Sequence, residues 1–413
     1  MWDGTSEPPP SPHELPAPQA AALFEIVARG PRTRPELTLA TGLSSPTVIH
    51  AIDALEAQKL VRVVESRQGA RGRAAQVYAL GSRAGWSLGL DLGTSHLEFV
   101  ALDLSGEIIG TRRLPNQADA DSRTPALDEA SRTELEEFSA SVAKEAGPLR
   151  AAGVAVSTIV PPEQRFFSGQ HGEPTHDRVP EELSPSFDLQ ALVESLGLPG
   201  SLPILLENNI NCSALSEAHR PGRESSDLLY LHLGTGGVGI GIVSGGELIR
   251  GHHGAAGEMR WFPFPHVPHI ESSDAPFELE HHLGATGLRE RAAAALPGRG
   301  GVAAPSIAEL IRLAESGDAQ AREVLEGYAF DVARSLVAFI SVLDPESVVL
   351  GGGVGNNPIL LELVTRHLHR LGRPVPLSGD LGETSSALGA GILALYQSRS
   401  MLGLSSLRFR HPR

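Results

Sequence analysis

The sequence predicts an α/β chain in which a small winged helix-turn-helix precedes a larger, strand-rich unit. Three observations carry that expectation. Residues 18–82 read as three short helices followed by a hairpin, the texture after residue 83 changes to strands mixed with helices, and glycine-rich turns recur where strands end. With 413 residues, 41% of them hydrophobic, the chain can bury roughly two or three separate cores.

The elements follow in order. Residues 1–17 hold five prolines and little apolar pattern, which predicts a disordered tail. From Pro18, the residues Leu23, Ile26 and Val27 recur at helical spacing until Gly30 and Pro31 stop the run. A second helix spans about Pro35 to Thr41 and ends at Gly42. Ser45 is the expected N-cap of a third, with Pro46 at its first position, because a serine hydroxyl accepts an orphan N–H and proline has none to leave unpaired. That helix runs to about Gln58 and buries Val48, Ile52 and Leu55. Val61–Glu65 and Gln76–Leu80 then form a hairpin around a Gly- and Arg-rich loop, a wing.

Two helices joined by a short glycine-containing turn fit a DNA-reading module, and they also fit a small helical packing module. Charge separates the two. The whole chain carries −15, yet between Arg29 and Arg83 nine Lys/Arg face four Asp/Glu. Only this segment has the balance of a surface that meets phosphates. Ser45, Thr47, Ile49 and His50 sit near the start of helix three, off its apolar stripe, and are the candidates for reading base edges; His50 also fits a solvated surface histidine. Arg67, Arg71 and Arg73 in the wing are placed to meet phosphate or the minor groove.

After Gly81, strands at Trp86–Asp91, Phe99–Asp103 and Glu107–Leu114 are expected, with Asp91-Leu92-Gly93-Thr94 at the first turn. Glycine lets backbone N–H groups approach an anion, so this turn reads as a weak phosphate-loop signal. A helix over about Arg132–Ala146, a strand at Gly153–Thr158, a helix near Leu189–Leu196 and a strand at Leu202–Leu206 follow. A single cysteine, Cys212, excludes internal disulfides and a thiolate zinc cluster. No leader pattern and no apolar run of about 18 residues is present, so a cytoplasmic protein without membrane contact is expected.

Glu207-Asn208-Asn209-Ile210-Asn211, then Gly234-Thr235-Gly236-Gly237-Val238-Gly239-Ile240-Gly241, then Gly254-Ala255-Ala256-Gly257-Glu258 come in fixed order. Asp344–Gly353 and Leu388-Gly389-Ala390-Gly391 complete the series. Over about residues 20–400 this resembles the ROK family of sugar kinases and sugar-responsive repressors, and the head resembles its repressor branch. The resemblance implies a two-lobed actin-like (sugar kinase/Hsp70/actin) fold, with sugar in the cleft and, in kinases, ATP on two glycine loops. It implies a small lobe over 83–210 joined by a C-terminal helix over 385–400, and a large lobe over 211–384. It further implies that Asn208, Asn209, Glu258, Trp261 and Glu280 line the sugar site, Glu280 through Glu278-Leu279-Glu280 where the family has Cys-Leu-Glu.

Departures from that pattern matter as much. The family's kinases carry Asp as general base where this chain has Asn209, and a carboxamide cannot accept the proton; losing a positioned base removes about 10²- to 10⁴-fold of rate. Thr94 and His96 stand where kinases have Gly and Lys, so Asp91, Gly93, Thr94, Gly234, Thr235 and Gly236 read as degenerate phosphate loops. Trp261 replaces a zinc-ligand histidine, and Phe262–Phe277 lacks the family's cysteines, so no metal and no cofactor are expected. Trp261 either stacks on a sugar face or fills the space the metal left. The expectation is a regulator, a repressor reading an inverted repeat in double-stranded DNA as a homodimer or higher assembly, controlled by a sugar or sugar phosphate. The alternatives are a sugar kinase with a DNA-binding head and a constitutive DNA-binding protein.

Overall fold

The computed structural model describes residues 14–68, 74–93, 96–116, 127–167, 184–222, 225–234, 237–259, 262, 278–296, 305–373, 375, 377–382 and 384–405. Most of the expected tail, and the wing tip with Arg71 and Arg73, lie outside them.

The head comprises α1 (Ala17–Arg29), β1 (Arg32–Thr33), α2 (Arg34–Thr41), α3 (Ser45–Ala57), β2 (Val61–Gln68) and β3 (Ala74–Leu80), its strands ordered β1-β3-β2. The apolar stripes do the work expected of them. Leu23, Leu37, Val48, Ile52, Leu55 and Tyr78 are fully buried in one cluster. Thr33 and Glu36 form a reciprocal capping box at the start of α2, and Gly42 ends that helix in the left-handed conformation (φ 70°) that glycine adopts without strain. The cap of α3 corrects the sequence expectation. It is Ser44, with extended backbone and its Oγ accepting from Thr47 N at 3.3 Å, so Ser45 is the first helical residue and Pro46 the second.

Beyond the head lie two sheets of the same design. The first contains β4 (Trp86–Leu92), β5 (His96–Asp103), β6 (Ile108–Pro115), β7 (Leu149–Val156), β8 (Phe166–Phe167) and β9 (Ile204–Asn208) in the order β6-β5-β4-β7-β9-β8. The second contains β10 (Leu228–Gly234), β11 (Gly237–Ser244), β12 (Glu247–Leu248), β13 (Ser347–Gly351) and β14 (Leu377–Gly379) in the order β12-β11-β10-β13-β14. In each, an antiparallel meander extends into two further strands parallel to the first. That repeated strand order is the two-lobed actin-like architecture. Each sheet backs its own core, Trp86, Phe99 and Phe138 (on α4, Glu129–Ala146) in one and Leu231, Tyr328 and Leu336 (both on α10, Ala319–Leu343) in the other.

Two helices lie between the lobes: α6 (Asn209–Ala218), which leaves β9, and α13 (Ser385–Met401), which packs on β4, β7 and α6. The second glycine segment is a hairpin more than a loop, since Gly237–Gly241 belong to β11. Its glycines serve close packing: a Cβ on Gly241 would lie 2.5 Å from Ala214 Cβ and one on Gly239 2.5 Å from Ile210 Cδ1, both on α6. Among the described residues, no helix is long and apolar enough to cross a membrane.

Candidate functional site

On the head, Ser45, Ile49 and His50 are exposed on α3, and Thr47 is half-buried with its hydroxyl 2.7 Å from Ser44 Oγ. Thr47 and His50 also line a shallow groove with Pro16, Pro18, Gln19, Pro46 and Ala51. Arg67, on β2, is exposed and paired with Glu65 at 2.5 Å. Sequence reasoning missed Arg34: it pairs with Asp53 of α3 at 2.5 Å and its guanidinium stacks 5.1 Å above the ring of Tyr78 on β3. This contact fixes α3 against the strand that carries the wing.

The cleft is built where the parallel strands of both sheets end. Asn208 closes β9, and its side chain N-caps α6: Oδ1 accepts from Ile210 N (2.8 Å) and Asn211 N (3.3 Å), while Nδ2 donates to Thr158 O at 3.1 Å. Asn209 is the first residue of α6 and half-buried. Glu258 is half-buried after the Gly254–Gly257 turn, with its backbone N donating to Ala255 O. Glu280 lies on α7 (Glu278–Leu283), its side chain outside the described residues, as is Trp261.

Glu207 is the residue the motif concealed. Its carboxylate, 3% exposed, pairs with Arg250 from the opposite lobe, while Oε1 accepts from Asn208 N and Asn211 Nδ2, each at 3.0 Å. Arg165 stands nearby, its charged form disfavoured by burial and supported by Glu207. A single carboxylate therefore joins β9, α6 and the loop after β12.

Across from α6, Asp91 is buried at the end of β4 and accepts from Ser386 Oγ of α13. Burial pushes its carboxyl above the ordinary aspartate value, with Ser386, His96 and Arg113 opposing. Gly93 O accepts from Asn116 Nδ2 at 2.7 Å; Thr94, Thr235 and Gly236 lie outside the described residues. His232 near the end of β10 occupies the space between the remaining glycines. A Cβ on Gly234 would lie 2.4 Å from its Nε2, and one on Gly352 2.9 Å from its Cε1. Burial holds that imidazole below its ordinary pKa, Asp380 pulling the other way. Asp380 itself is committed to the protein, accepting from Tyr230 Oη (2.9 Å) and Gly352 N (3.2 Å) on Oδ2 and from Gly382 N (2.9 Å) on Oδ1. His281 and His282, on α7, pair with Glu290 and Asp331, each at 2.9 Å.

The ROK family model matches residues 87–397, and a MarR family model matches residues 13–72. The chain belongs to the ROK family. Joined to a MarR-type winged helix, this ROK chain falls in the regulator branch of the family. It is 22% identical over 392 residues to the xylose repressor of Bacillus subtilis (strain 168), covering 91% of this chain and 94% of that one. It is also 25% identical over 351 residues to a glucokinase of Halalkalibacterium halodurans, covering 76% of this chain and 97% of that one. Among solved structures, a ROK family transcriptional regulator, a homologue of the E. coli MLC protein, aligns over 94% of this chain and 98% of its own with TM-score 0.66 and 19% identity. A ROK hexokinase from Thermus thermophilus aligns over 76% of this chain and 99% of its own with TM-score 0.56 and 26% identity. The regulators match head and lobes together, whereas the kinases match the lobes.

Proposed function

We propose that this ROK protein is a transcriptional repressor that binds double-stranded DNA through its winged head and is controlled by a sugar or sugar phosphate in the cleft. The observation that carries the reading is the union, in one chain, of an exposed α3 on a basic head with a cleft whose base position holds Asn209. Asn208 offers a sugar hydroxyl the Nδ2 hydrogen that it does not give to Thr158 O, and Glu258 offers its carboxylate, since hydroxyls need fixed donors and acceptors. Kinase activity is absent on this reading. A carboxamide takes no proton, and the His232 ring fills the ground between Gly234 and Gly352 where phosphates would be cradled. A homodimer sets two heads on an inverted repeat, and ligand alters their spacing by binding two arrangements of the lobes with different affinity.

The test is a titration of wild-type protein with a duplex selected from a random-sequence pool, with and without D-xylose, D-glucose, N-acetyl-D-mannosamine and their phosphates. ATP turnover is measured on the same sugars. A sugar that shifts the duplex affinity without being phosphorylated supports the reading. Clear turnover would overturn it in favour of a kinase with a DNA-binding head, and duplex binding indifferent to every sugar would favour the constitutive alternative.

A further inference from the structure

α13 touches both ends of this molecule. Its first turn belongs to the cleft: Ser386 Oγ donates to Asp91, and Ser385 Oγ lies 2.9 Å from Ser216 Oγ of α6. Along its middle no layer of side chains separates it from its neighbours. A Cβ on Gly89 of β4 would lie 2.1 Å from Ala387 O, one on Gly153 of β7 2.0 Å from Ala390 O, and one on Gly389 1.8 Å from Cys212 O. The helix therefore rests backbone against backbone on two strands and on α6, and α6 begins at Asn209.

Its far end is anchored differently. Ser398 Oγ meets Ser87 Oγ at 2.8 Å, and the buried Arg399 donates from Nε (3.0 Å) and Nη2 (2.9 Å) to Leu104 O. Immediately beyond Met401, Leu402 and Leu404 enter the hydrophobic cluster that contains Ala20, Leu23 and Ile26 of α1, and a Cβ on Gly403 would lie 3.4 Å from Ala20 Cβ. α1 in turn packs on α3. At 17 residues the helix spans ~25 Å, and with Leu402 and Leu404 directly after it the chain runs from the cleft floor to the α1 cluster.

We infer that α13 conveys the state of the cleft to the head, with Leu402 and Leu404 as the seat through which it positions α1 and so α3. The inference rests on the proposed reading that the lobes control the head, and it names the part that does so. A packed helix has discrete positions, and shifts of about 1–2 Å of one element past another are the usual currency of such transitions. A change at Ser386 reaches Leu404 because the backbone contacts along β4, β7 and α6 leave the helix little room to bend in between.

A double-mutant cycle between the two ends tests this without any ligand. Residues this far apart ordinarily behave additively. Amide hydrogen exchange of α1 is measured in the full chain for wild type, Ser386→Ala, Leu404→Ala and the double variant. The expected result is faster α1 exchange in Ser386→Ala, an effect that disappears in the Leu404→Ala background, with a non-additivity of about fivefold or more. Asp91→Asn with Leu404→Val repeats the cycle with less loss of packing, in case either alanine variant fails to fold. Additive behaviour in the folded cycle overturns the proposal. Because the exchange measurement contains no DNA, failure of the DNA-binding reading registers separately, as loss of duplex retention by the wild-type protein.

Discussion

Replacing Arg250 by Met tests whether the ion pair between the lobes is a structural latch. Glu207 is 3% exposed and Arg250 27% exposed, so the carboxylate is the desolvated partner. Removing the guanidinium leaves a buried charge whose remaining support is the hydrogen-bond donors Asn208 N and Asn211 Nδ2 and the nearby Arg165 cation. Breaking a buried pair in this way costs about 3–5 kcal/mol. Glu207→Gln behaves differently, because its carbonyl oxygen still accepts from both donors while the charge is gone; about 1–2 kcal/mol is expected from the lost charge-assisted bond. The double variant, which removes both members of the pair, should recover most of the Arg250→Met loss. The assay is urea unfolding of all four proteins followed by tryptophan fluorescence, where Trp86 lies in the core of the first lobe. A loss below about 1 kcal/mol for Arg250→Met alone would mean that water reaches Glu207 and that the lobes are not latched there.

Three further outcomes are expected. Asp91 has its folded pKa raised by burial, so its contribution is fully present below the unfolded value of 3.8 and is lost as pH rises through the folded value. Asp91→Asn should therefore gain stability relative to wild type as pH rises above 3.8, and a pH-independent difference measured by thermal unfolding would contradict that. Thr33 holds the Glu36 carboxyl below 4.5, so the capping box contributes above pH 4.5 and fades as pH falls through the lowered value; Thr33→Ala should cost about 1 kcal/mol at neutral pH and less in acid. On the head, Arg71→Ala and Arg73→Ala should lower the salt slope of duplex binding by about 0.9 per lost phosphate contact, while His50→Ala should change sequence preference by about 1–3 kcal/mol at one base. Unchanged salt slope and unchanged preference together would remove the wing and α3 from the interface.

What the sequence revealed, and what it hid, divides by range. Leu23, Ile26, Val48, Ile52 and Leu55 announced their helices because a 3.6-residue period is local, and all five are buried. In Leu43-Ser44-Ser45-Pro46 the choice of cap was one residue off, since either serine offers a hydroxyl and proline is tolerated throughout the first turn; only the extended backbone of Ser44 (φ −66°, ψ 150°) decides. Gly234–Gly241 suggested an anion loop because glycine permits one, whereas Gly239 and Gly241 are there to let α6 approach, a requirement set by a helix that begins 30 residues earlier. The Arg250–Glu207 pair joins residues 43 apart across two lobes and leaves no periodic trace. His232 did leave one: a single histidine inside the apolar run Leu228–Gly234, next to a glycine turn, is a bulky polar side chain where phosphate binding needs open backbone.

The polar groups at the strand ends also separate a frame from a receptor. Asn208 spends its Oδ1 on two amides of α6, Glu207 is held by Arg250 and Asn211, Asp91 by Ser386, and Asp380 by Tyr230, Gly352 and Gly382. Each of these side chains is bound to the protein's own chain. A catalytic cleft gains from groups held uncommitted until the transition state forms. A sensor needs the opposite, because a ligand shifts an equilibrium only by its differential affinity for the two states, and a soft frame would absorb that difference before it reached the head. On the proposed reading, the same substitutions and contacts that end phosphoryl transfer also stiffen the route from Asn209 and Asp91, through α6 and α13, to α1. Loss of catalysis and gain of coupling are then one structural change.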